Sequence, residues 1–530
     1  MRKYKFSLLV FAIIIQTIGC KTNKSSKTVV QENKVEESTG FYQFLNEDPN
    51  ASPFFAKKEG VFAYNGMVAS AHPEASKVGA EILKAGGNAI DAAVAVSFAL
   101  AVVHPAAGNI GGGGFLVYRD ANGSNYSLDY REKAPSDGYR DMYLDKNGNV
   151  IKGLSLNGHL ASGTPGSVDG LVQMHEKFGS LPWAKLLEPA ITLAFNGVKL
   201  TEREARGLNR IKADLENYSP GKKYFIKNDG TEWATNDLLI QSDLGNTLKR
   251  IQEKGRAGFY EGKTAELLLA EMDEGCGIIS QKDLDNYKAQ WREPIATNYK
   301  NFKIIGMPPP SSGGIALAQL MEIVEDYPLA KWGWHQDSTT QVMIEAERRV
   351  YADRSKWLGD PDFAKVPKAE LLDNEYIKRR FKDFSFSKAT DSKQIEPGLI
   401  PNHESTETTH FSIVDKQGNA VAITTTLNNS YGSKVVVEGA GFFLNDEMDD
   451  FSIKPGEPNM YGLLGYEANS IRPNKRMLSS MSPTIVEKEG KLFLVVGTPG
   501  GSTIITSVFQ VIVNVLEHKM GMQEAVDALR

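Results

Sequence analysis

"STETTHFSIV", residues 405–414, decides how this chain folds. From Thr408 to Val414 polar and apolar residues alternate, the period of a half-buried strand. "DKQGN", residues 415–419, reads as a turn, and Ala420 to Leu427 reads as a second strand. A five-residue turn sets Val414 opposite Ala420. In that register Thr408 faces Thr426, with Cβ atoms ~4.5–5.5 Å apart on one face of the sheet. Thr424 and Thr425 serve equally well in a slipped register. Threonine is β-branched and favours strands for that reason alone, so the hairpin by itself requires no chemistry.

The position of Thr408 suggests more. A threonine hydroxyl is a weak nucleophile near neutral pH and needs a base. His410 is on the same strand face, where packing is its expected role. The α-amine of Thr408 itself, with a pKa of ~7.7–8.0, would serve without any other side chain. That amine exists only if the chain is cut between Glu407 and Thr408. Residues 376–402 lose apolar periodicity and gain Ser, Lys and Asp, so they read as a long exposed lead-in that suits such a cut.

Upstream, residues 74–103 read as two helices. The first is amphipathic and ends at Gly86-Gly87. The second, from Ala92 to Val103, is apolar on every side and therefore buried. "GNIGGGGFLVYRD" follows, a glycine loop running into a strand at 115–118. No GK[ST] or G-x-G-x-x-G accompanies it, so close backbone packing is expected rather than a phosphate cradle. A strand is expected at 126–130, a helix at 318–326, and further strands at 440–444, 483–487 and 491–497. Helices mixed with antiparallel strands point to two sheets sandwiched between helices.

Composition narrows the function. Lys+Arg number 60 against Asp+Glu 65, which leaves no basic footprint for nucleic acid. Two cysteines far apart, Cys20 and Cys276, make neither a disulfide framework nor a zinc cluster. The eight histidines show no metal-ligand spacing, so neither metal nor other cofactor is expected. At the start, basic residues to Lys5 precede an apolar run from Phe6 to Ile15, a secretory signal too short to span a membrane. It ends in "TIGC", which is similar to a bacterial lipoprotein box, with Thr17 where leucine is more usual. The reading is a signal peptide over 1–19, acylation of Cys20, and a flexible tether over 20–45, with a plain signal peptide as the alternative. The protein is then exported to a bacterial envelope, periplasmic or lipid-anchored, and meets the membrane only through that lipid.

Several stretches together carry a family resemblance: "TTHFSIVDKQGNAVAITTTLN", "NDEMDDFS", "NKRMLSSMSPTIV", "GTPGGS", "LDYREKAP", "LASGTPGSVDGL", "AGGNAIDAAVA" and "PPPSSGGIAL". They closely resemble the γ-glutamyltransferase (glutathione hydrolase) family of N-terminal nucleophile hydrolases, from about residue 60 onward. The resemblance implies an α+β fold, a four-layer αββα sandwich. It also implies a precursor that cuts itself into a large subunit (46–407) and a small one (408–530), intertwined as one domain. It makes Thr408 the nucleophile and new N-terminus, Thr426 its hydrogen-bond partner, and Gly500 and Gly501 the oxyanion donors. Arg131, Ser479 and Ser480 would bind the α-carboxylate of a γ-glutamyl substrate such as glutathione, and Asn428, Glu447 and Asp450 its α-ammonium. Tyr461, in a Pro- and Gly-rich stretch that resembles the family's lid, would close over the substrate and touch Asn428. Acceptors would be water, amino acids or peptides.

Members usually continue past "AVDALR", so the small subunit reads as C-terminally truncated, the sequence being either a fragment or a trimmed version of the fold. Two rival readings remain open on the sequence: a cephalosporin-type acylase on the same machinery, and an uncleaved envelope lipoprotein that binds a partner.

Overall fold

The computed structural model describes residues 60–219, 222–395, 408–459 and 463–529. Thr426 ends one strand of its larger sheet, and Thr408 stands just before another. The strands are β1 (Gly66–Ala69), β2 (Gly113–Arg119), β3 (Asn125–Asp129), β4 (Val198–Lys199), β5 (Leu238–Leu239), β6 (Gln290–Arg292), β7 (Ile295–Tyr299), β8 (Phe302–Gly306), β9 (Thr409–Asp415), β10 (Ala420–Thr426), β11 (Thr484–Lys488) and β12 (Lys491–Val496). An antiparallel six-stranded sheet runs β1-β9-β10-β2-β3-β6 and a four-stranded one runs β12-β11-β8-β7, while β4 and β5 form a small separate pair.

The hairpin has the register read from the sequence. Ala420 pairs with Val414, and the ladder closes at Thr425–Thr409. Thr408 and Thr426 sit one step beyond that last rung, where Thr426 pairs instead with Gly113 of β2. The turn is locked by Asp415, whose Oδ1 accepts from the amides of Gln417 and Asn419, both at 2.9 Å. Its Oδ2 accepts from the Ala89 amide at 2.9 Å. That bond places a carboxylate at a helix N-terminus, where the exposed amides and the helix dipole favour it.

The helix in question is α2 (Ala89–Val103), which follows α1 (Pro73–Lys84). Asn88 and Asp91 cap α2 reciprocally, and all fifteen of its residues are buried. Phe411, Ile413, Val421 and Ile423 pack with α1 and α2 in one core. The alternate residues Ala420 and Ala422 pack with β11 and β12 in a second core. Period-2 alternation therefore gives each strand one face toward helices and one toward the other sheet. The Gly313–Glu325 and Ile504–Leu516 helices cover the smaller sheet. The layers are helix, sheet, sheet, helix, as the fold class requires. Thr408, His410, Thr424 and Thr426 lie on the inter-sheet face.

The glycine loop is used for close approach. A Cβ on Gly111 would lie 2.1 Å from Phe443 O, and one on Gly112 would lie 2.2 Å from Thr426 O. Two expectations need correction. Residues 440–444 are not a strand; Val436 and Phe443 form an isolated bridge across a tight reversal through Gly439 and Gly441, both at positive φ. Residues 376–402 are not exposed throughout, because Asn374–Phe381 is a helix that buries Ile377 and Phe381. Its single i, i+4 apolar pair is too short to register as a period.

Candidate active site at the end of the inter-sheet face

β10 ends at Thr426, and the chain turns sharply at Asn428, whose φ is +76°. The turn is tied from both sides. Asn109 Nδ2 donates to Thr426 O at 2.9 Å, and Thr425 Oγ1 donates to Gly113 O at 2.7 Å. The Asn428 amide donates to Thr426 Oγ1 at 2.8 Å, and Asn428 Nδ2 donates to Asp446 O at 3.0 Å. Thr408, Thr426 and Asn428 line one cleft with about 310 Å³ of empty space, together with Arg131, Glu447, Asp450, Ser479, Ser480 and Gly501.

Arg131 follows β3 and is 1 % exposed. Its Nη1 lies 2.6 Å from Glu447 Oε2 and 3.5 Å from Glu132 Oε2, and its Nη2 pairs with Asp450. Burial disfavours its charge, but Glu447, Asp450 and Glu132 outweigh that and hold it firmly protonated. The acidic run 446–450 is not a solvated turn. Residues Glu447–Asp450 form a single 3₁₀ turn with Glu447, Met448 and Asp449 buried. Burial pushes the carboxyls up: Glu132 to about 8, Asp446 to about 7, and Glu447 well above the usual range. Glu447 Oε1 has no hydrogen-bond partner among the described residues. One guanidinium answers the charge of only one carboxylate, so the raised carboxyls beside it would ionise more readily next to a second cation.

Ser479 and Ser480 lie on the far wall. Ser479 Oγ accepts from the Met481 amide at 3.1 Å, and Ser480 Oγ accepts from Arg354 Nη2 at 3.0 Å. Gly501 lines the cleft; Gly500, at φ +138°, is one residue back and does not. The loop is held from behind by Tyr351, whose hydroxyl donates to Ser502 O. His410 packs: its ring nitrogens meet Thr424 Oγ1 at 2.9 Å and Ser412 Oγ at 3.0 Å, and burial drops its pKa to about 3. A neutral imidazole of that basicity is no general base at pH 7. Glu407, Tyr461 and Cys20 lie outside the described residues.

The pattern of the gamma-glutamyltranspeptidase family matches residues 75–530. The chain belongs to that family. It is 50 % identical over 475 residues to a glutathione hydrolase proenzyme of Pseudomonas sp. (strain A14), covering 90 % of this chain and 82 % of the relative. The glutathione hydrolase proenzyme of Escherichia coli (strain K12) is 46 % identical over 488 residues, 91 % of this chain and 84 % of its own length. Among solved structures, Helicobacter pylori gamma-glutamyltranspeptidase matches with a TM-score of 0.63 and 44 % identity, over 66 % of this chain and 99 % of that one. A cephalosporin acylase from Bacillus halodurans matches with a TM-score of 0.77 and 26 % identity, over 91 % and 86 %.

Membership does not account for every wall of the cleft. Arg354 and Met481 line it beside the expected residues, and neither was legible in the sequence. Arg354 lies in "ADRSKW", at the end of a charged 21-residue helix, where one more arginine carries no spacing signal.

Proposed function

We propose that this protein is a self-cleaving γ-glutamyltransferase and glutathione hydrolase. The observation that carries the reading is one cleft in which a strand-end threonine, Thr408, meets a buried guanidinium, paired serines and an acidic pocket. Those are the groups a γ-glutamyl end needs: Arg131, Ser479 and Ser480 for the α-carboxylate, and Asn428, Glu447 and Asp450 for the α-ammonium.

In maturation, Thr408 Oγ1 attacks the Glu407 carbonyl and the backbone nitrogen leaves. Water then opens the resulting ester, freeing the Thr408 amine and separating large and small subunits. In turnover that amine takes the hydroxyl proton as Oγ1 attacks the γ-carbonyl. The oxyanion is met by the amides of Gly500 and Gly501, a contribution of ~2.7–4 kcal/mol per donor. The leaving amine takes the proton, and a γ-glutamyl ester on Thr408 remains. Water hydrolyses it, or an amino acid or peptide amine accepts the glutamyl group. Thr426, with its oxygen already accepting from Asn428, has its hydrogen to give to Thr408. Tyr461 closes over the bound donor. Export to a bacterial envelope and a lipid on Cys20 complete the proposal. They rest on the N-terminal signal, and Cys20→Ala would then leave the protein in the soluble fraction after lysis.

The acylase reading has a long structural overlap in its favour. The mature protein decides between the two when offered a γ-glutamyl anilide and an acyl-lactam at equal concentration. Preferential release of the anilide supports the γ-glutamyl reading, and preference for the lactam overturns it.

A further inference from the structure

One cation of the cleft has no role in the mechanism above. Arg354 sits in the last turn of the Asp337–Trp357 helix, 3 % exposed. Its Nη2 donates to Ser480 Oγ and its Nε to Ser312 Oγ, both at 3.0 Å. Ser312 Oγ donates in turn to Ser479 O at 2.7 Å. One side chain from the segment before Thr408 thus grips the serine pair that follows it.

This grip sets the direction of the hydroxyls. A serine hydroxyl has one hydrogen to give and lone pairs that accept. Ser480 Oγ already accepts from Arg354, and Ser479 Oγ already accepts from the Met481 amide. Each is left with its hydrogen as the group to offer into the cleft. Two O–H donors side by side match a carboxylate, which only accepts.

The charge is unusual as well. The buried arginines Arg119, Arg131, Arg349 and Arg476 each hold a carboxylate: Glu487, Glu447, Glu345 and Asp129. Arg354 has no carboxylate within ion-pair distance among the described residues. Asp450, which faces it, is engaged by Arg131. A guanidinium stripped of water without a counter-ion is costly, and an incoming anion relieves that cost.

We propose that Arg354 is a positioning residue for the α-carboxylate of the donor: it aims the Ser480 hydroxyl and supplies the second positive charge that the carboxylate meets. The proposal rests on the γ-glutamyl reading above.

The test compares kcat/KM for a γ-glutamyl anilide with that for the 4-aminobutyryl anilide, which differs only in lacking the α-carboxylate. Wild type favours the first. Arg354→Gln narrows that preference about ten- to hundredfold, the worth of a hydrogen bond to a charged group. The loss lies mainly in KM for the γ-glutamyl donor, and Arg354→Lys falls between the two. An equal loss on both substrates, or an unchanged preference, overturns the proposal, since damage to the fold would act on both alike. Should Arg354→Gln fail to mature on a denaturing gel, the same ratio is read in Arg354→Lys, which keeps the charge but lacks the rigid fork that spans Ser312 and Ser480. An unchanged ratio there also overturns it. Wild type that cleaves neither anilide sinks the γ-glutamyl reading itself, before any variant is measured.

Discussion

The backbone amide of Asn428 donates to the hydroxyl oxygen of Thr426 at 2.8 Å, across the turn that ends β10. The bond occupies a lone pair of that oxygen and leaves the hydrogen of Thr426 to be donated. Thr408 stands one step past the last rung of the same hairpin, on the same face. Thr426 is therefore placed to donate to Thr408, the oxygen proposed to attack.

Thr426→Val, which keeps the shape and loses the donor, is expected to slow both self-cleavage and turnover at least tenfold, in line with about 1–3 kcal/mol for a buried group left unpaired. Thr426→Ser should retain most of both. A time course of band splitting on a denaturing gel, beside kcat for a γ-glutamyl anilide, measures the two effects.

Arg131 is the counter-charge for Glu447, Asp450 and Glu132. Arg131→Gln leaves those buried carboxyls facing one another, and a loss of about 3–5 kcal/mol in stability is expected. Urea denaturation of the two proteins at pH 7.5 checks this. A loss below 1 kcal/mol would mean the cluster is not electrostatically coupled.

The pH dependence of that cluster has a definite sign. Burial raises the Glu132 carboxyl to about 8, above its unfolded value. Its contribution to stability is full below about 4.5 and is lost as pH rises through about 8. Glu132→Gln should therefore gain on wild type as pH rises from 5 to 9, read as the difference in Tm. A difference that shrinks or reverses toward pH 9 contradicts the assignment.

His410 works in the opposite direction. Burial holds its folded pKa at about 3, so the native protein keeps the ring neutral while the unfolded chain protonates near 6.5. Stability is present above about 6.5 and falls by roughly 1.4 kcal/mol per pH unit as pH drops toward 3. His410→Gln should flatten this acid limb and change kcat less than tenfold. A hundredfold loss of kcat with normal maturation would restore His410 as a base.

Tyr351 reaches the loop of Gly500 and Gly501, the proposed oxyanion donors, through Ser502 O. Tyr351→Phe frees that carbonyl, and kcat should fall several-fold with KM unchanged, the signature of an interaction made mainly in the transition state. A rise in KM alone would place the effect in substrate binding instead.

The hairpin register was legible because Asp415 fixes a five-residue turn by local hydrogen bonds, and local turns leave a mark on the sequence. The buried α2 was legible because no face of it is polar. Residues 440–444 misled because an apolar, aromatic run reads as a strand even where its glycine turns it. The charge arrangement was hidden for another reason. Arg131 and Asp450 are 319 residues apart, and no local pattern says that residues proposed to bind opposite substrate charges hold each other. Arg354 and Tyr351 share a helix face by ordinary spacing, so nothing in the chain separates them from packing residues.

The most direct measurement of the central claim is intact mass spectrometry of the purified protein and of Thr408→Ala. The account predicts two chains in the first, one beginning at Thr408, and a single uncut chain in the second. A wild-type protein that releases glutamate from γ-glutamyl anilide while Glu407 and Thr408 remain joined would contradict it.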